Sequence, residues 1–147
     1  MRIHVVLLLM ASIVAFSGLN SPAKSERIDA QKKNDILQGK IQGLRIDNIM
    51  TSRLELIQGT EVLVSRVEVP ANTTLPKHWH PGEEFIYVLE GSATLWQKDK
   101  PDTHLKKGDV FKVPLKQIHT AKTGEEGATV LVFRVHEIGQ PVRFNVE

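Results

Sequence analysis

From Ile49 onward apolar and polar residues alternate in short runs rich in Val, Ile, Leu and Thr, separated by Gly, Pro, Asn and Asp. A period of two sends successive side chains to opposite faces of an extended strand, and β-branched residues suit such a pleated surface. The alternation predicts strands over residues 53–57, 61–69, 84–89, 92–97, 109–113, 119–122, 128–136 and 142–146. Turn-forming residues at 58–60, 70–72, 81–82, 90–91, 98–102, 107–108 and 123–127 separate them. No amphipathic helix intervenes, so the expected class is all-β, a sandwich or barrel of antiparallel strands. Within 128–136, Thr129, Leu131, Phe133 and Val135 read as the core face, and Val130, Val132, Arg134 and His136 as the solvated one.

The pattern before Ile49 is different. Met1 and Arg2 precede a nearly unbroken apolar run from Val5 to Phe16, followed by small residues. A run of about 12 to 14 residues is shorter than the roughly 20 that a spanning helix needs, so residues 1–23 read as a signal peptide and not as a lasting anchor. Cleavage is expected after Ser17 or Ala23, where small residues stand at the last and third-last positions. Residues 24–48 are polar and weakly patterned, an arm in which Ile28, Ile36, Leu37, Ile41 and Leu44 are the residues available to dock it on a sheet or a neighbouring subunit. Residues 49–147 form the single folded domain that a chain of 147 residues has room for.

Composition narrows the chemistry. With no cysteine, disulfide frameworks and thiolate metal sites are excluded, and the fold must be held by its core. The expected leader holds one of the nineteen basic residues and none of the seventeen acidic ones, so the remainder is nearly neutral. Without a basic block, nucleic acid is not an expected partner. An exported location, secreted or periplasmic, follows from the leader.

The chemically informative stretch is Pro76-Lys77-His78-Trp79-His80-Pro81-Gly82-Glu83-Glu84. Alternation points His78 and His80 the same way, and a return through Pro81-Gly82 brings Glu84 opposite them. Imidazole and carboxylate suit Fe, Mn, Zn, Ni or Cu, so a divalent transition metal is the expected cofactor. His119, after Pro114 and the Gly108-Asp109 turn, is the candidate fourth ligand. Glu83 would replace Glu84 if the turn differed by one residue. Trp79 points away and reads as packing, and His104 reads as a loop residue. Gln117, Arg66, Arg134 and His136 are possible rim residues, better read as strand-face polar groups.

These residues resemble the two motifs of the cupins, G-x5-H-x-H-x3–4-E-x6-G and G-x5-P-x-G-x2-H-x3-N. In the first, His78, His80, Glu84 and Gly91 match, and Asn72 stands for the leading Gly. In the second, Gly108, Pro114 and His119 match, while Lys116 stands for the inner Gly and Thr123 for the closing Asn. Asn tolerates left-handed backbone angles as Gly does, and Lys116 falls in the turn between Pro114 and His119. The resemblance spans roughly residues 62–135 and implies a single cupin β-barrel, a double-sheet jelly roll.

It further implies a metal held by His78, His80, Glu84 and His119, with two coordination positions left for a small molecule. A metal-dependent enzyme follows, of dioxygenase, isomerase, lyase or decarboxylase type, acting on a small oxygenated molecule. The alternatives are a non-catalytic metal or small-ligand binding module and a metal-stabilised oligomer. A homodimer is implied as well, since small cupins pair through their outer strands.

Overall fold

A computed structural model describes residues 39–146. The signal peptide expected over 1–23, and the arm up to residue 38 with Ile28, Ile36 and Leu37, lie outside the described residues. Among them are eight strands: β1 (Arg45–Arg53), β2 (Thr60–Val69), β3 (His78–Trp79), β4 (Glu83–Gln97), β5 (Thr103–Lys106), β6 (Val110–Val113), β7 (His119–Glu137) and β8 (Phe144–Asn145). All pair antiparallel in one curled sheet ordered β1-β2-β7-β3-β8, with β4 joining β7 to β5 and β6. The all-β barrel expected from the alternation is the fold.

Two long strands carry the barrel. The breaks expected at 90–91 and 123–127 do not end strands: β4 and β7 run on through both, paired from Glu83↔Val135 to Gln97↔His119, with irregularities between Val88 and Glu90 and between Gly91 and Ala93. Such bulges bend a strand without terminating it, which lets one strand serve both halves of a curled sheet. Gly91 explains why glycine stands at this bend: its φ is +69°, and a Cβ there would lie 2.1 Å from the Gly127 carbonyl oxygen.

The ends also shift. The strand expected at 53–57 is instead β1, which pairs Arg45↔Glu68 through Arg53↔Glu61, so residues 45–48 of the expected arm already belong to the sheet. Leu54 N–H donates to the Thr60 carbonyl, closing the hairpin over the segment that was expected to be extended. Leu44 and Ile46 are buried with Val67, Val69 and Val132, and Ile41 packs against them. This end of the arm therefore docks on its own sheet. Residues 103–106, where His104 was expected in a loop, form β5 and bury Leu105.

A second cluster, Val88, Leu95, Leu105 and Val113, meets the first through Val130. Val132 is buried and Phe133 is 38% exposed. The faces of β7 are thus the reverse of the expectation: Val130, Val132 and Arg134 face inward. Both sets are apolar enough to be core, and only the sense in which the sheet curls decides between them.

Candidate metal centre

Three strands converge at one end of the barrel. In register, His78 of β3 lies beside His119 of β7, and His119 beside Gln97 of β4. The Pro81-Gly82 turn returns the chain from His80 into β4, which opens with Glu83-Glu84. The His78 and His119 ring centroids are 4.4 Å apart, and His80 lies 4.8 Å from the first and 5.3 Å from the second. One ring nitrogen from each approaches the others within 4.8 Å, and all three residues are buried. Glu84 Oε2 is 2.9 Å from His80 Nε2, and Glu84 Oε1 is 3.6 Å from His119 Nε2.

The rings are oriented by the backbone. His78 Nδ1 lies 2.8 Å from the Pro76 carbonyl oxygen, His80 Nδ1 2.5 Å from that of Val142, and His119 Nδ1 2.9 Å from that of Gln117. A carbonyl only accepts, so each Nδ1 carries the proton and each Nε2 of a neutral ring presents a lone pair. His80 Nε2 makes no aligned hydrogen bond despite its closeness to Glu84. Three lone pairs and a carboxylate pointed at one another repel unless a cation stands among them. This donor set fits a divalent transition metal, with the backbone carbonyls supplying the outer hydrogen bonds that fix ligating imidazoles.

Electrostatics agree. Burial holds His78 well below its ordinary pKa, reinforced by the neighbouring His119 and His80 rings. Burial also lowers His80, against the attraction of Glu84. Burial opposes ionisation of Glu84, yet the carboxyl sits well below its usual range because His80, Arg134 and the His119 and His80 contacts outweigh it. A His80 ring whose proton is on Nδ1 gives Glu84 little charge. Arg134, permanently cationic, is therefore its durable partner, with Nε donating to Glu84 Oε2 over 2.7 Å.

Arg134 is the residue whose place sequence reasoning underrated. It belonged to a face read as solvated, and its register opposite Glu84 becomes visible only once β4 and β7 are paired. Gln97, 2% exposed with its Nε2 unpartnered, went unnoticed for the same reason. His136 is buried near the cluster, 3.9 Å from Glu61. The other rim candidates lie elsewhere: Gln117 Nε2 donates to the Lys98 carbonyl, Arg66 pairs with Glu68, and Glu83 pairs with Lys112 on the outside. Trp79 stacks on Phe144 at 4.2 Å, and His104 is exposed.

The three motif departures are accommodated. Asn72 and Lys116 adopt φ of 53° and 58°, the left-handed conformation that glycine would supply. Thr123 is buried, its hydroxyl donating to the Pro70 carbonyl and accepting from Thr73 N–H.

Below the cluster a cavity of about 80 Å³ runs into the barrel, lined by His78, Glu84, His119, Arg134 and otherwise by aliphatic side chains from both core clusters.

A curled antiparallel barrel with a histidine cluster at one end, opening on an interior cavity, defines the class. The cupin domain model matches residues 65–134, and the fold is the all-β cupin barrel. A cupin-like protein from Thermotoga maritima superposes with a TM-score of 0.57 at 19% identity, over 70% of this chain and 75% of that one. An uncharacterised protein with a double-stranded β-helix domain from Klebsiella pneumoniae gives 0.54 at 24% identity, over 72% of this chain and 87% of that one. An oxalate decarboxylase from B. subtilis gives 0.52 at 18% identity, over 69% of this chain but 32% of that one. No curated protein sequence matches.

Proposed function

We propose that this chain is an exported cupin in which His78, His80, Glu84 and His119 hold a divalent transition metal, and that it is a metal-dependent enzyme acting on a small oxygenated molecule. The observation that carries the reading is the shared tautomer: three Nδ1 atoms tied to backbone carbonyls, leaving three Nε2 lone pairs beside one buried carboxylate. When bound, such a metal supplies Lewis-acid polarisation of a ligand oxygen and, for a redox-active ion, a route for electrons. The chain's own residues orient the ligands, exclude water through the aliphatic wall, and hold Glu84 ionised through Arg134. Among the structures resembling this one are an oxalate decarboxylase and DMSP lyases.

The test is metal analysis of protein purified from its native compartment, with His119→Ala as control. Stoichiometric metal in the wild type and little in the variant is expected, as is thermal stabilisation worth about 4 kcal/mol at free metal a thousandfold above Kd. Absence of stoichiometric metal would overturn the reading. Turnover abolished by chelator and restored by Fe(II) or Mn(II) separates the enzyme from a binding module, which would retain ligand without forming product. The N-terminus of the mature protein tests export.

A homodimer through the outer sheet face belongs to the same proposal. Phe133, Tyr87 and Val110 stand there 38%, 40% and 70% exposed, an apolar area of the kind that partners cover.

A further inference from the structure

The walls of the interior cavity say what sort of molecule the metal centre handles. Among its lining residues only His78, Glu84, His119 and Arg134 are polar, and all four belong to the histidine end. The rest of the wall, including Val69, Leu75, Val88 and Leu105, offers neither a donor nor an acceptor from its side chains. A polar or charged group carried to that far end would lose its water and gain nothing in return.

Among the residues lining the cavity Glu84 is the one carboxylate, and it already answers Arg134, while Glu61 stands outside the lining beside His136. Arg134 uses only Nε in that bond and keeps its two Nη nitrogens for other acceptors. Arg143 adds a second cation close by. Burial first, and then the Arg134 charge, lower its pKa to about 10, so it stays protonated at neutral pH. A divalent ion among the histidines deepens the imbalance, because neutral imidazoles contribute no charge. A buried excess of positive charge is relieved by an anion that brings its own oxygens.

We infer that the cavity binds a small monoanion with a short aliphatic tail, a carboxylate or similar oxyanion head at the histidine end beside Arg134 and the tail in the barrel interior. The inference rests on the metal-centre reading for part of the head-group attraction. The rest comes from Arg134 and stands without it. The cavity, at about 80 Å³, has room for on the order of five water-sized groups, so the ligand is a short chain and not a sugar or an extended aromatic.

Calorimetric titration of zinc-loaded and chelator-treated protein with acetate, butyrate, hexanoate, butanol and succinate tests this without requiring turnover. Butyrate is expected to bind the zinc-loaded protein at least about tenfold more tightly than butanol, which lacks the charge, or succinate, which carries a second one into the apolar end. From acetate to butyrate, affinity should rise about threefold to fourfold per methylene, and stop rising once the cavity is full. Ala93→Leu and Ala121→Leu narrow the cavity from two different strands and should erase the gain from the longer tail while acetate still binds. Arg134→Gln should shrink the preference for butyrate over butanol. Equal affinities for butyrate, butanol and succinate in metal-loaded protein would overturn the inference, as would a chain-length series that neither leucine variant alters. Metal content measured on the same samples separates the two failures. Zinc bound without ligand preference sinks the ligand class alone. A butyrate preference in protein that takes up no zinc supports the ligand class and sinks the metal reading.

Discussion

Glu84 and Arg134 are partners twice over, first as backbone neighbours in the β4–β7 register and then through the 2.7 Å bond from Arg134 Nε to Glu84 Oε2. Their side chains are 5% and 12% exposed, so each removes the other from an otherwise costly position. Arg134→Met leaves a buried carboxylate without its permanent countercharge and should destabilise the metal-free protein by roughly 3 kcal/mol. A divalent ion beside Glu84 would supply the missing charge, so saturating metal should recover most of that loss. Urea unfolding of both proteins with chelator and with zinc measures the difference. A loss that is the same in both conditions would mean that no cation reaches Glu84.

The turn that delivers Glu84 to the histidines depends on a residue with no side chain. A Cβ on Gly82 would lie 2.0 Å from the Val135 carbonyl oxygen and 2.5 Å from His136 Cβ, so β7 occupies the space. Backbone cannot give way as a flexible side chain can. Gly82→Ala should therefore cost roughly 1–3 kcal/mol and pull His80 and Glu84 out of position, lowering zinc affinity along with stability. Denaturant unfolding and a zinc titration of the variant check both effects. An alanine variant with wild-type stability would show that the turn has slack.

The barrel and the meeting of the four candidate residues were legible because they rest on local rules: alternation for the strands, and His-x-His with a turn and a following Glu for one shared face. Three features were hidden for one physical reason. Arg134 and Gln97 reach the site through the pairing of β4 with β7, and the inward face of β7 is chosen by the curl of the sheet. Each is a long-range relation that no window of sequence contains. The glycines at 91 and 127 were read as ends of strands, since a positive φ marks a turn as readily as a bend. Here Gly127, with φ of +69°, is a bend inside β7, its place for a Cβ filled by the Val69 carbonyl oxygen at 2.7 Å.

His136 makes the metal-free protein sensitive to mild acid. It is buried beside Glu61, with Arg134 and His80 also acting on it, and both ring nitrogens lack an aligned hydrogen bond. Burial lowers its pKa, Glu61 opposes the shift, and Arg134 and His80 add to it. Because the folded pKa lies below the unfolded one, the unfolded chain binds the proton first as pH falls, and stability is lost from about 6.5 downward. Burial lowers His78 and His80 as well, so their contributions have the same sign. The melting temperature in chelator should therefore drop between pH 7.5 and pH 5, and His136→Gln should make the drop shallower. An unchanged slope in the variant would remove His136 from this account.

Lys116 offers a gain in stability. It holds φ at 58° in the turn before His119, and its N–H donates to the His80 carbonyl over 3.3 Å, so the conformation is tied to the site. A side chain in the left-handed region costs roughly 1–2 kcal/mol, and glycine avoids that at an entropic cost of about 0.5–1 kcal/mol. Lys116→Gly should come out ahead by a few tenths to about 1 kcal/mol, with zinc affinity unchanged because the backbone path to His119 stays the same. Gly108 provides the mirror experiment: its φ is +90° and nothing lies within 4 Å of the place for a Cβ, so Gly108→Ala isolates backbone strain from crowding. It should lose stability where Lys116→Gly gains it. Thermal unfolding of the pair reads both signs at once, and a destabilised Lys116→Gly would show that the lysine side chain contributes more to the turn than its backbone conformation costs.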